Sequence, residues 1–459
     1  MTREGVSVPA SASIPRTLGR LDLVLLKIVA IVNINNVPPA AVYGRASLLL
    51  WVFAFAAFFV PEAIAVVIFA KRYPGEGGVY LWIREEFGER HGFLAGWCYW
   101  TNNLFYIPVL LVYMAGIFAF LGGERSAELV NTKWFVAGIA FGWLALITGL
   151  NIRGLGVGKW IQNLGAIGAG LSVLLVLLAA FLAWRRGVAE QPPLVAGAGW
   201  GMVASFSVIC NALVGVELAS TMGDEIRDPA RDLKPAVIIA GIIALGSYLL
   251  VTAAVLALVP IAQLGVIQGI MQAVSAGATA AQAQWIVAPV ALVLGVAIGG
   301  AVSAWFAGSA RVPFVAGLTS ALPASLGRVH PTWKSPYVAL ITCALLAAAF
   351  TLMSLVGSSV AEAYQVLLKA AVVIQLAPFC YLFLALIRLG DVGVGARAAG
   401  VVGLVTTAVG IVAAFLPTAD VTSVAIFEGK MLVGVAGPIG IGWYLFRRSS
   451  RTHSLSGAR

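Results

Sequence analysis

Long apolar runs recur from one end of the chain to the other, and they decide what it can fold into. A membrane-crossing helix needs about 20 consecutive, mostly apolar residues. Twelve such runs can be read, near 22–44, 47–70, 92–120, 133–150, 159–184, 201–222, 235–259, 285–310, 336–356, 361–388, 398–416 and 431–446. Hydrocarbon offers the backbone no hydrogen bonds, so each run has to satisfy its own peptide groups as a helix. Composition agrees, since only 10% of the 459 residues are charged and mean hydropathy is +0.97. A soluble domain carries about a quarter charged residues. The sequence predicts an all-α polytopic membrane protein with 12 transmembrane helices.

The net charge of +10 does not point to nucleic acid, because the basic residues are sorted by loop. With the N-terminus inside, roughly 21 Lys and Arg residues fall on cytoplasmic segments and about six outside, an asymmetry that sets orientation in membranes. Arg185 and Arg186 run against the trend. Residues 1–20 contain Arg3, Arg16 and Arg20 but no apolar core ending in a cleavage site, so they read as a cytoplasmic tail. Residues 448–459 read as a second cytoplasmic tail. The expected location is the cytoplasmic membrane. Cys98, Cys210, Cys343 and Cys380 lie singly in apolar runs, as small buried hydrophobes do. Metalloprotease, nucleophile-elbow, phosphate-loop and dinucleotide motifs are not found, so no enzyme, cofactor or metal site is expected.

Two runs carry features that lipid does not tolerate. The first contains "IVNINNVPPAAVYG", with Asn33, Asn35 and Asn36 followed by Pro38 and Pro39. Proline lacks an N–H and its ring clashes with the preceding turn, so the helix is expected to open near Asn35–Pro39. The sixth run contains "CNALVGVELAS", with Asn211, Gly215 and Glu217 at mid-depth. A mid-span carboxylate costs about 2.5–3.5 kcal/mol on insertion scales. Interrupted helices in matching positions of two halves mark a transporter site. The expected organisation is therefore one inverted repeat over 21–185, a second over 200–390, and two further helices over 397–447.

Three ordered motifs strengthen this reading. "YPGEGGVYLW" with the following "FGERHGFLAGW" (Tyr73 to Trp97), "VGVELASTMGDEIRDPARDLKPA" (Val214 to Ala236) and "SARVPFVAGLTSALPASLGRVHPTWKSPYVAL" (Ser309 to Leu340) resemble signatures of the amino acid–polyamine–organocation permeases. The resemblance implies a five-plus-five inverted repeat of the LeuT type with discontinuous first and sixth helices. It implies amino acids or related amines as cargo, with proton-coupled symport or exchange and H+ as coupling ion. Asn35, Asn36 and Val37 stand where many members carry Gly-Ser-Gly, as in the glutamate/aminobutyrate-exchanger branch. Pro61-Glu62-Ala63 resembles polyamine carriers, and Ala169 or Gly170 stands where some relatives carry a fifth-span lysine.

The expected substrate shell is Asn33, Asn35, Asn36 and Val37 from the first break, and Asn211, Ala212, Leu213, Val214 and Gly215 from the second. Tyr99, Asn102 and Asn103 of the third span, with Tyr106, form a polar stripe that either walls the site or glues helices together. Glu217, Glu62, Lys369 and Ser303 are the expected coupling or gating residues. Glu62 either binds an amine, carries a proton, or pairs with Lys27 or Lys369. Tyr80, Trp82, Trp97 and Trp100 are expected at the membrane edge.

Overall fold

A computed structural model describes residues 15–188, 194, 200–265, 267–318, 322–355, 360–416 and 424–456. The expected N-terminal tail therefore lies largely outside the described residues, whereas 448–456 of the expected C-terminal tail continue a helix. The chain is helical, with only two isolated backbone bridges among the described residues. Its helices are α1 (Arg20–Ile31), α2 (Val37–Ala41), α3 (Ala46–Ala54), α4 (Val60–Arg72), α5 (Val79–Phe87), α6 (Glu89–Phe118), α7 (Ser126–Asn131), α8 (Lys133–Ile152) and α9 (Leu155–Arg185). They continue as α10 (Trp200–Leu213), α11 (Leu218–Thr221), α12 (Pro229–Leu258), α13 (Gly269–Ala280), α14 (Val287–Leu318), α15 (Tyr337–Leu355), α16 (Val360–Arg388), α17 (Val394–Ala414) and α18 (Val424–Ser456).

Among the described residues, 10 helical stretches are long and apolar enough to cross a membrane, and Tyr337–Met353 is a shorter apolar one. The sixth expected span is split between α10 and α11, each too short to cross alone. The second span, Ala46–Arg72, is locally widened into a π turn at Phe55–Phe59, just before Pro61. Such a turn absorbs the hydrogen bond that proline cannot make.

The bundle sorts side chains by size. On α9, Leu164, Ile167, Leu171, Leu174, Leu178 and Phe181 face outward, while Gly165, Ala166, Gly168, Ala169 and Ser172 face inward. Small inward residues let helix backbones close up, and large outward ones suit lipid. Against α14 the approach reaches backbone contact. A Cβ added at Gly165 would stand 2.5 Å from the Gly300 Cα, and one added at Gly300 would stand 2.5 Å from the Gly165 Cα. The same argument corrects the aromatic reading. Tyr80, Trp82 and Trp100 are buried, and the Trp100 indole N–H meets the Cys343 thiol at 3.1 Å. Trp97 is partly buried and donates to the Pro438 carbonyl at 2.7 Å. These rings pack helices together rather than anchoring the membrane edge.

Candidate functional site

The first break opens one turn earlier than the prolines suggest. Helix α1 stops at Ile31, Val32 and Asn33 leave helical geometry, and Ile34–Asn36 form a single tight turn. Both prolines then sit in the first turn of α2, where the missing N–H would be unpaired in any case. The asparagines do the bracing. Asn33 donates from its amide to the Ala30 carbonyl at 2.7 Å, and Asn36 to the Asn33 carbonyl at 3.2 Å. Asn35 is fully buried, yet neither atom of its amide makes a well-formed hydrogen bond.

In the second break, α10 stops at Leu213 and α11 begins at Leu218. Gly215 has φ +139°, a conformation L side chains rarely adopt. A Cβ there would stand 3.3 Å from the Ala30 carbonyl carbon, so the two breaks lie against each other. Glu217 spans its own break. One oxygen accepts from the Gly215 N–H at 2.8 Å and the other from the Tyr99 hydroxyl at 3.0 Å. Lys27 of α1 donates to the Val216 carbonyl. The Glu62 carboxyl of α4 faces Glu217 and Lys27, with neither of its oxygens in a well-formed hydrogen bond. Lys27, Glu62, Glu217 and Tyr99 are all fully buried.

The stripe on α6 walls this region. The Tyr106 hydroxyl lies beside the Asn35 and Asn36 amides, and Trp305 of α14 meets the Tyr106 ring edge-on at 5.8 Å. Asn102 donates to Gln375 of α16 at 2.5 Å, and Asn103 to the Tyr99 carbonyl at 2.9 Å. Buried atoms without partners gather here: both atoms of the Asn35 amide, the Asn36, Asn102 and Asn103 carbonyls and the Trp305 N–H. Leaving a buried polar group unmade costs about 1–3 kcal/mol, so this concentration suits a polar ligand.

Val37, Asn211, Ala212, Leu213 and Val214 are buried beside the two breaks. Two expected residues are engaged elsewhere. Ser303 accepts from Asn151 of α8 at 3.2 Å. Lys369 donates to the Leu416 carbonyl at 2.5 Å and lies over the Phe427 ring, so the positive charge near Glu62 is that of Lys27 instead. Sequence reasoning missed Gln375 and Tyr248, each a polar group inside an apolar run. The Tyr248 hydroxyl lies between the two breaks.

The end of the bundle that carries the start of α1 is knitted shut. The Thr17 and Leu18 N–H groups donate to the Glu225 carbonyl at 3.0 and 2.9 Å, and the Arg227 N–H to the Leu18 carbonyl at 3.0 Å. The Gly77 N–H donates to the Thr221 carbonyl at 3.1 Å. Arg311 of α14 is 1% exposed and donates to Glu225 from two nitrogens at 2.9 and 2.8 Å. Glu76 is buried beside them, and both its oxygens lack partners. Burial, and then the Glu225 carboxyl beside it, hold the Glu76 carboxyl well above the usual carboxylate range.

Known proteins with similar sequences identify the family. The model of the amino acid permease family matches residues 18–441. An uncharacterized transporter of Legionella pneumophila is 28% identical, over 82% of this chain and 81% of its own. The branched-chain amino acid permease BcaP of Bacillus subtilis is 27% identical, over 71% of this chain and 72% of its own. The probable agmatine/putrescine antiporter AguD of Lactococcus lactis is 25% identical, over 49% and 48%. With two helix breaks pressed together inside an apolar bundle and a family match over nearly its whole length, the chain belongs to the amino acid permeases of the amino acid–polyamine–organocation superfamily.

Proposed function

We propose that the protein is a secondary active transporter that carries amino acids across the cytoplasmic membrane by alternating access. In this reading it has twelve spans, both termini are cytoplasmic, and two inverted five-helix repeats place α1/α2 and α10/α11 as their discontinuous first members. The observation that carries the proposal is the meeting of the two breaks beside amides that lack partners. An amino acid offers a carboxylate for freed N–H groups and an ammonium for freed carbonyls, and two adjacent breaks supply both.

Coupling is assigned to the Lys27–Glu62–Glu217 group. Two carboxyls that face each other in an enclosed site hold one proton between them, because like charges so placed cannot both ionise. With that proton and the Lys27 ammonium the group is neutral. Losing the proton leaves a buried negative charge that only an opened site can hydrate. Tyr99 and the Gly215 N–H connect this charge to the second break, so proton and substrate act on the same backbone.

Amine transport is the second reading. It is favoured by Glu62, a buried carboxyl that makes no well-formed hydrogen bond, and by the likeness to AguD. Purified protein in liposomes with an imposed pH gradient separates the two. Uptake of L-leucine or L-methionine that exceeds uptake of putrescine and agmatine supports the amino acid reading. The reverse order overturns it.

A further inference from the structure

Glu76 sits in the closed end of the bundle, yet its side chain takes no part in the bonds that close it. It lies in the turn between α4 and α5, where Gly75, Gly77 and Gly78 all take positive φ. The turn is pressed onto the segment that follows α11. Residue 76 forms a backbone bridge with Met222, the Gly77 N–H donates to the Thr221 carbonyl at 3.1 Å, and Gly223 has no room for a side chain against the Gly75 carbonyl. Backbone alone holds the turn in place. The Glu76 side chain is 7% exposed, and neither of its oxygens makes a well-formed hydrogen bond.

The charges around it do not balance. Glu225, Arg311 and Asp224 all face Glu76. Arg311 is committed to Glu225, which it reaches from two nitrogens, and to the Ala307 carbonyl. Asp224 has Arg16 beside it. Among the described residues this leaves Glu76 as the carboxyl with no cation of its own. An unpaired carboxylate is expensive to bury, so a carboxyl in this position keeps its proton instead. Solvent stands close by. A cavity of about 180 Å³ is lined by Thr17, Arg153 and Lys334, with Glu225 and Arg311 in its wall. Glu76 lies behind that wall, so parting the Glu225 segment from its neighbours would wet it.

We propose that Glu76 is a proton site of the closed end, separate from the Lys27–Glu62–Glu217 group, and that the pH on that side of the membrane sets how readily the end opens. The proposal rests on the carrier reading above, in which this end faces the cytoplasm. When the end parts, water reaches Glu76, its O–H bond breaks and the proton passes to water. When the end closes, the carboxylate takes a proton back before it is buried. The carboxyl keeps its proton to a higher pH in the closed end than in the open one. Between those two limits each unit of pH favours opening by about tenfold, and outside them pH has no leverage through Glu76. Acid on that side keeps the end shut, and alkali lets it part.

Hydrogen exchange of the full-length protein in detergent reads the opening without any cargo. The reporters are the amides of Thr17, Leu18, Gly77 and Arg227, whose bonds knit the end shut. After correction for the intrinsic rate, wild type is expected to lose protection at these amides as pH rises, by up to about tenfold per unit. Glu76→Gln does not titrate and is expected to give a flat profile, so in alkaline buffer its reporters exchange about tenfold more slowly than those of wild type. Amides of α13, where Gly269 stands against Pro38 beyond the first break, are expected to match in the two proteins. Glu76→Asp keeps a titrating carboxyl and is expected to restore the slope. The wild-type slope decides alone if Glu76→Gln does not fold. Efflux gives the functional reading, from liposomes that hold the protein in one orientation and are loaded with L-leucine, or with putrescine if that is what wild type takes up. Raising the pH on the side of the α1 start, with the other side fixed, is expected to speed wild type more steeply than Glu76→Gln. A flat exchange profile in wild type, parallel profiles of wild type and Glu76→Gln in either assay, or a difference that extends equally to α13 would each overturn the proposal. Failure of wild type to move either probe would count against the carrier reading, while the exchange experiment would still decide the role of Glu76.

Discussion

Replacing Arg311 puts the closed end of the bundle to the test. Its guanidinium reaches one Glu225 oxygen from two nitrogens, the shorter contact being 2.8 Å, and both side chains are 1% exposed. At that separation and an effective dielectric of about 20, Coulomb's law gives roughly 6 kcal/mol of gross attraction. Most of this offsets the desolvation of the two ions, so the pair adds little over a well-packed apolar pair. Arg311→Met is different. It leaves Glu225 buried without this cation, with the Glu76 carboxyl nearby, and the expected loss is about 3–5 kcal/mol. Arg311→Met with Glu225→Leu removes both charges and keeps the volume, so most of the loss should return. The backbone bonds from Thr17 and Leu18 to the Glu225 carbonyl survive either change. The assay is the apparent melting temperature of detergent-solubilised protein, followed by tryptophan fluorescence. A single variant that melts with wild type, or a double variant that melts with the single, would refute the reasoning.

Three further outcomes follow from the site. Glu217→Gln should flatten the pH dependence of uptake in liposomes while protein yield and melting stay near wild type, and an unchanged pH profile removes Glu217 from coupling. Asn35→Ala should raise KM about tenfold, the cost of about one ligand hydrogen bond, with little effect on melting because that amide makes no well-formed hydrogen bond within the protein; melting lost at constant KM would make it a brace. Glu76 is held above its ordinary value in the folded state, so its stabilising effect is complete below that ordinary value and fades as pH rises through the raised one. Glu76→Gln, neutral at every pH, should therefore melt higher than wild type in alkaline buffer and show a shallower pH profile; parallel profiles would contradict this.

Much of the architecture was legible because lipid is an unforgiving solvent. Asparagine, glycine and glutamate inside apolar runs have few uses there, and both breaks fall where those residues cluster. The exact opening of α1 was not legible, because prolines terminate a helix from behind as readily as they begin one. Pro38 and Pro39 turned out to begin α2. Which polar groups meet was legible only in part. Lys27 and Lys369 look alike in sequence, and only the folded structure brings Lys27 near Glu62 and turns Lys369 to the Leu416 carbonyl and the Phe427 ring. Tyr248 and Gln375 carry no local signal beyond being polar in an apolar run. The aromatic residues near Trp97 were misjudged because a ring close to the end of an apolar run suits lipid headgroups and helix packing equally well.

The contact of α9 with α14 has a mechanical consequence. At Gly165 and Gly300 there is no side-chain layer between the two helices, only backbone on backbone. A helix that slides over its neighbour must lift each side chain out of one groove and into the next. Two helices that meet at bare glycines can tilt about that point with no rotamers to rearrange. The crossing also touches α1, whose Val29 Cγ2 would stand 3.1 Å from a Cβ at Gly165. A tilt at this crossing would carry Val29 with it, and Val29 stands within one turn of the first break.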